Sequence, residues 1–375
     1  MAETTSGVLA LRVTEGFLND LAAAGVGEGI QPPPFVSTFQ LPMMGPIEMS
    51  VGMTIVSVSF VMSPDHNGAL IGTVRARGVI EILGESPMPA LPGAVVVRAD
   101  VAVSPRIGFH PDGSFEAVLD LESSELIAME LEEIEGLGHD QQGQLQMLQM
   151  MFAAMGGDLF GGLAVHLDSV GITLDADDAE VLRSIGAAPE RAVVEVGEHE
   201  LTVVLPARPP HHGGVTPPVA GPGGFGLAIS SGALGPLTAL AAAATAPGPL
   251  PIEFGLRTDG SELGTSIRSV RLVDSSLLPD LRATVRTRLE PRLSGDQIEI
   301  RLRSAWVDLP GVPSVLSGFG RRLGGVVGLL PGAVRLPRRV RVPARPGGDE
   351  RIELRIEALI VTDAGVSVSV EMEPS

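Results

Sequence analysis

Between residues 47 and 62 the side chains alternate with a period of two, and the phase of that alternation changes once. Ile47, Met49, Val51, Met53 and Ile55 are separated by Glu48, Ser50, Gly52 and Thr54; beyond them Val56, Val58, Phe60 and Met62 become the apolar set. A period of two gives an extended strand one apolar and one polar face, and a one-residue slip within it predicts a β-bulge, which bends the sheet. The alternation recurs at Val95, Val97, Ala99, Val101 and Val103, and at Phe115, Ala117, Leu119 and Leu121. Further on, Leu281, Ala283, Val285, Thr287 and Leu289 alternate with Arg282, Thr284, Arg286 and Arg288, and Ile298, Ile300 and Leu302 with Glu299, Arg301 and Arg303. Strands wet on one face, without regular helices between them, predict antiparallel sheets and argue against a doubly wound α/β fold.

Helical periodicity is confined to a few segments. The richest is 144–160, where Leu145, Met147, Leu148, Met150, Met151, Phe152, Met155, Leu159 and Phe160 cover more than one narrow stripe. A helix apolar over that much of its circumference has to be largely enclosed. Its methionines are unbranched and adaptable, which suits either a ligand of variable shape or an irregular core beneath a curved sheet. A second apolar helix is expected over 314–330.

The chain begins twice in the same way. Leu11-Arg12-Val13-Thr14-Glu15-Gly16-Phe17-Leu18-Asn19-Asp20-Leu21 aligns with Leu227-Ala228-Ile229-Ser230-Ser231-Gly232-Ala233-Leu234-Gly235-Pro236-Leu237: a short strand, a hydroxyl residue suited to an N-cap, then apolar residues on a helix face. Each opening is followed by proline-bounded strands, a second apolar helix and a strand near the end. These closing strands are read as Leu167-x-x-Val170-x-Ile172-Thr173 and Ile356-x-x-Leu359-x-Val361-Thr362. The shared order predicts an internal duplication. A Pro/Gly-dense stretch, RPPHHGGVTPPVAGPGG, divides the copies, so the expected organisation is a module over 1–206, a linker over 207–224 and a module over 225–375.

Charge separates the two halves. Residues 1–206 carry 29 acidic side chains against 7 arginines, a balance of −22, whereas residues 207–375 carry 16 against 19, a balance of +3. An acidic chain with 3% aromatic residues lacks the basic faces and stacking rings that nucleic acid requires, so no nucleic-acid partner is expected. With 44% hydrophobic residues the chain is far from the composition of disordered proteins. No apolar run reaches the roughly 18 residues of a membrane-spanning helix, and the first residues lack the pattern of a secretory signal. Together with the absence of cysteine, this makes a cytoplasmic protein the expectation.

Most candidate chemistry is dispersed. His66, His110, His139, His166, His199, His211 and His212 are scattered, and only the last two are adjacent, so a zinc site is not expected. Asp175-x-Asp177-Asp178 lacks the Gly and downstream Glu of an EF-hand and reads as a polar turn. Gly25-Val26-Gly27-Glu28-Gly29 follows a helix rather than a strand and reads as a helix end, not a nucleotide loop. With no Gly-x-Ser-x-Gly or Walker motif, an enzyme is not expected and no catalytic residue, metal or cofactor is assigned. One stretch stands out by charge. Residues 321–345 contain Arg321, Arg322, Arg335, Arg338, Arg339, Arg341 and Arg345 and no acidic residue. Arg335, Arg338, Arg339 and Arg341 are candidates for contact with an anionic membrane surface; the alternatives are a solvated sheet edge or docking against the acidic half.

An apolar helix in each of two repeats, with antiparallel strands curved around it, resembles the tubular lipid-binding superfamily, in particular its bactericidal/permeability-increasing-like members with two tandem modules. The resemblance rests on the two openings and on the final strand Leu359-Ile360-Val361-Thr362-Asp363-Ala364-Gly365-Val366, and it covers nearly the whole chain as order and pattern. It implies an α+β fold of two related modules, each a highly curved antiparallel sheet wrapped around a long apolar helix. It further implies an apolar groove lined by Phe17, Leu18, Leu21, Leu148, Met151, Phe152, Met155, Leu159, Leu234 and Leu237, holding a lipid or other apolar small molecule. The alternative is an interaction protein of the same fold with a filled core, working through protein partners.

Overall fold

A computed structural model describes residues 7–27, 29–41, 45–62, 69–83, 93–110, 114–119, 124–135, 149, 152, 156–157, 160–161, 170–174, 176–208, 214–237, 253–271, 282–308, 333–343 and 351–373. Antiparallel sheets make up most of it, with few helices, as an α+β fold requires. The first half builds a sheet of order β2-β3-β4-β5-β8 from β2 (Phe35–Leu41), β3 (Gly45–Met62), β4 (Leu70–Leu83), β5 (Val95–Val103) and β8 (Glu125–Ile134). A small sheet beside it joins β6 (Pro105–Phe109), β7 (Phe115–Leu119) and β9 (Val170–Leu174).

The phase change in β3 is a bulge at the expected place. Ile55 pairs with Ala76 and Ser57 with Arg75, leaving Val56 as the extra residue, 43% exposed. The bulge keeps Met49, Val51, Met53 and Ile55 on the same buried face as Val58, Phe60 and Met62, which a regular 18-residue strand would divide between two faces. Two further register shifts interrupt the β5–β8 ladder, at Val96/Val97 and Asp100/Val101.

Helix α1 (Glu15–Val26) packs across this sheet. Thr14 caps it as anticipated: its Oγ1 accepts from the Phe17 N–H at 3.3 Å. Gly27, at φ 52°, ends it and donates its N–H to Ala23 O at 3.0 Å. β2 covers the outer edge of β3 only as far as Val51. Beyond that, Ile30 bridges Ile55, Asn19 pairs with the Phe60 backbone, and Glu15 Oε2 accepts the Met62 N–H at 2.8 Å. The helix thus occupies a strand edge that would otherwise expose backbone donors and acceptors.

The two halves meet in one seven-stranded sheet of order β10-β11-β1-β12-β20-β19-β18. Its strands are β10 (Val193–Val196), β11 (Glu200–Leu205), β1 (Leu9–Thr14), β12 (Gly224–Ser230), β20 (Gly365–Glu373), β19 (Arg351–Thr362) and β18 (Arg339–Pro343). At its centre β1 and β12 run antiparallel with Leu11 opposite Leu227, the two residues that head the aligned openings. A local two-fold axis between them relates the strands on either side. Leu9 pairs outward with Leu205, and its counterpart Phe225 pairs outward with Val370. In the outer hairpins Val196 faces Leu201 and Val193 faces Val204, matched by Val361 facing Val366 and Ala358 facing Ser369. A single offset of 165 residues relates all of these closing pairs.

That register corrects one sequence reading. The strand expected to match 356–362 was 167–173, but β9 pairs with β7 in the small sheet, and β10 holds the position equivalent to β19. Alternation identified strands correctly and could not identify their partners. The acidic stretch expected as a turn lies at helix α2 (Ala176–Ser184), which contains Asp177 and Asp178. The described part of the linker is packed rather than loose. Val215 bridges Gly7, Val215 and Pro217 are buried, and the Thr14 hydroxyl donates to Pro222 O at 2.7 Å while accepting from the Gly224 N–H at 3.2 Å. A Cβ on Gly16 would stand 2.2 Å from Pro222 O, so this close approach of helix and linker requires glycine there.

The second half adds a sheet of order β13-β14-β15-β16-β17, from β13 (Glu253–Asp259), β14 (Glu262–Arg271), β15 (Arg282–Ser294), β16 (Gln297–Asp308) and β17 (Ala333–Pro337). The chain leaves this sheet at Pro337 and enters the seven-stranded sheet at Arg339, so Arg338 stands at the crossing.

Candidate functional site

The candidate site is the apolar wall of the first half. Alternate residues of β3, β4, β5 and β8 point to it, and Phe60, Met49, Ile55, Met62, Leu70 and Leu131 are each less than 2% exposed. Phe152, from the helical segment of which 149, 152, 156–157 and 160–161 are described, is fully buried in the same cluster, and Phe160 is 4% exposed. Gln149 Nε2 donates to Leu131 O at 3.3 Å, fastening this segment to β8. Four methionines, Met49, Met53, Met62 and Met129, belong to the wall. Only alternation marked the first three, and the bulge is what puts Met62 beside the others.

Of the expected lining, Leu18 lies within this core and Phe17 packs against its margin, edge-on to Phe225 with ring centroids 5.1 Å apart. Phe152 joins them, and Leu21 is half-buried. Leu234 is buried, whereas Leu237 packs on a separate cluster of Val8, Ala179, Ile185, Ala187, Leu205 and Ala233. The lining expected from the two openings therefore falls into more than one apolar cluster. Leu148, Met151, Met155, Leu159 and the expected helix 314–330 lie outside the described residues. Asn19 and Glu15 were not among the expected site residues. Their sequence signal is only that two polar residues, four apart, fall on one side of α1.

Each of the four arginines is ion-paired within the second half. Arg335 reaches Glu299 at 3.5 Å, and Arg341 reaches Glu353 at 3.0 Å. Arg339 lies 3.2 Å from Glu373 and 3.6 Å from Glu353. Arg338, 14% exposed, binds Glu357 at 2.8 Å, Gly295 O at 3.2 Å and Ile356 O. Arg335 and Arg341 remain 64% and 75% exposed, so the same segment combines an inward fastening with an outward cationic edge. Nearby, a hydrogen bond from Arg301 holds the Glu299 carboxyl below its usual range. For Glu290, burial acts to raise the carboxyl, but hydrogen bonds from Arg292 and Arg303 outweigh it and leave the group lowered.

Among the described residues no three His, Cys, Asp or Glu side chains converge to hold a metal ion. His110 pairs with Glu116, and His199 with Glu15, each at 3.3 Å. No described helix is long and apolar enough to cross a membrane.

No protein-family model matches the chain, and no curated protein does. Among solved structures, lipopolysaccharide binding protein is 12% identical, covering 98% of this chain and 99% of its own, with a TM-score of 0.32. P47 from Clostridium botulinum A2 is 8% identical, covering 98% and 97%, with a TM-score of 0.36. Likeness at this level carries no functional argument.

Proposed function

We propose that this chain is a non-catalytic, tubular-type protein of two tandem modules that holds an apolar ligand such as a lipid between helix and concave sheet. The observation that carries the proposal is the methionine-lined wall of the first half, closed by Phe152 and by α1. Such a wall needs few directed contacts, because each buried CH₂ contributes about 0.8 kcal/mol. Methionine side chains can repack around acyl chains of different length. The modules proposed are 1–206 and 225–375, joined by 207–224. The matching registers around Leu11 and Leu227 support the duplication.

One observation favours a second reading. The described wall is closed to water, as in an interaction protein with a filled core, so a ligand would have to displace the segment carrying Phe152 and Phe160. Native mass spectrometry of freshly purified full-length protein separates the two. Mass adducts of lipid size that survive gel filtration are expected; repeated ligand-free spectra would leave the interaction protein standing. The exposed Arg335 and Arg341 are the proposed contacts with an anionic membrane surface. Flotation with phosphatidylglycerol vesicles should weaken in Arg335→Glu/Arg341→Glu, and equal flotation would remove that partner.

A further inference from the structure

The first residues of the opening helix make matching contacts in both halves. The Glu15 N–H donates to His199 O at 2.9 Å, and the Ser231 N–H to Ala364 O at 2.8 Å. Each helix then meets a strand edge in the same order. Glu15 Oε2 accepts the Met62 N–H at 2.8 Å, and Ser231 Oγ accepts the Thr258 N–H at 3.3 Å. One turn further on, Asn19 bonds the Phe60 backbone, whereas Gly235 brings its own backbone against Leu256. A Cβ there would stand 3.3 Å from Leu256 O and 3.7 Å from its N. Residues 231–237 are helical, so this helix lies on the edge of β13 as α1 lies on the edge of β3. Thr258 thereby corresponds to Met62, and Leu256 to Phe60.

Strand register carries the correspondence across both sheets. Met62, Leu70 and Val103 form one row of the first-half wall, and Phe60, Gly72 and Val101 the next. The matching rows are Thr258, Leu263 and Leu289, then Leu256, Thr265 and Thr287. Opposed residues in antiparallel strands project to the same side, so three threonines stand where the first half has Met62, Gly72 and Val101. A side chain at Gly72 would crowd Val101, 3.1 Å from its Cγ2; at that place in the second half the Thr265 and Thr287 hydroxyls hydrogen-bond to each other. The buried Thr258 hydroxyl lies 2.9 Å from Ser231 Oγ and 3.1 Å from Asp363 O. The Thr265–Thr287 pair shares one hydrogen, which leaves the other O–H without a protein partner among the described residues. Both threonines are half-buried, so water reaches that group. A hydrocarbon chain laid on this wall expels the water and strands the O–H, which weakens binding about tenfold or more. Each methylene it buries strengthens binding only about fourfold. One stranded hydroxyl thus cancels about two methylenes, a cost that Met62, Gly72 and Val101 do not carry.

We infer that the apolar ligand proposed above occupies the first half alone, one per chain, and that Thr265 and Thr287 keep hydrocarbon off the corresponding wall of the second half. The inference rests on the first-half wall being a ligand site, and its test separates the two. Full-length protein is irradiated with a diazirine-bearing palmitic acid, and labelled peptides are quantified within 1–206 and within 225–375. Only label that unmodified palmitic acid competes away is scored. Competed label confined to 1–206 is expected. Thr265→Val/Thr287→Val removes both hydroxyls, nearly keeps side-chain shape and suits strands, so it should raise competed label within 225–375 about tenfold. Equal label in the two halves of the unmodified chain would overturn the inference and leave the ligand reading standing. No competed label in either half would overturn both. Failure of the double variant to gain label, with unchanged circular dichroism, would also overturn the inference, since the threonines would not be what excludes the chain.

Discussion

Replacing Arg338 with methionine keeps the length and apolar stem of the side chain but removes its guanidinium from the point where the chain passes from one sheet to the other. The guanidinium binds Glu357 at 2.8 Å, Gly295 O at 3.2 Å and Ile356 O, and the Arg338 backbone bonds Asp296 O and the Ile356 N–H, each at 3.0 Å. It therefore ties the β15–β16 turn and the irregular register of β19 between Ile356 and Ala358 to the crossing. Breaking a fully buried ion pair costs about 3–5 kcal/mol. Here two features lower that figure: Glu357 keeps Arg355 at 3.0 Å, and Gly295 lies in an exposed turn where water can replace the lost donor. A loss of about 2–3 kcal/mol remains, typical of hydrogen bonds to a charged group. At about 2.1 cal/mol/K per residue, unfolding all 375 residues as one unit turns this into a fall in Tm of about 3–4 °C. Arg341→Met is the control, since that side chain is 75% exposed with one partner, and it should change stability by less than about 1 kcal/mol. Differential scanning calorimetry of both variants is the assay. Equal shifts would refute the argument that burial at the crossing, rather than charge, makes Arg338 structural.

Asn19→Ala removes the paired bonds to Phe60, at 2.6 and 3.0 Å, and should cost about 1–2 kcal/mol while accelerating hydrogen exchange at the Phe60 amide; unchanged exchange there would mean that α1 does not cover that edge. Deleting Val56 removes the extra residue and leaves Ile55–Ala76, Ser57–Arg75 and Val58–Val74 in regular register, with Met49–Ile55 and Val58–Met62 on one face. Folded protein is therefore expected, as it is for Val56→Thr, which should change stability by no more than about 0.5 kcal/mol in urea titration; loss of soluble folded protein on the deletion would refute Val56 as the bulge residue. The lowered carboxyls of Glu290 and Glu299 stabilise the fold above the usual carboxylate range, and that contribution disappears as pH falls through their depressed folded values. Melting temperature followed from pH 6 downward should therefore fall less steeply in Glu290→Gln/Glu299→Gln than in the unmodified chain, and identical slopes would argue against these pairs as a source of acid sensitivity.

What could be read from the chain alone was whatever repeats over a few residues. The period of two located β3 and β5, the slip at Val56 located the bulge, and Thr14 and Gly27 marked the ends of α1. Each is decided by backbone geometry and by the cost of wetting an apolar face, both of which act locally. The likeness of the openings at Leu11 and Leu227 was also legible, but not that these residues would stand opposite each other across a local two-fold axis. Partner choice was beyond reach for the same reason. The closing strand of the first half was read at 167–173, whereas β10 holds that place, because alternation states which face is buried and not which edge is met. Likewise, arginines that formed one cationic run in sequence separate in the fold into Arg338, turned inward to Glu357 and backbone carbonyls, and Arg335 and Arg341 at the rim. Folding made that division, since carboxylates and carbonyls distant in sequence arrive at Arg338 only when two sheets share one crossing strand.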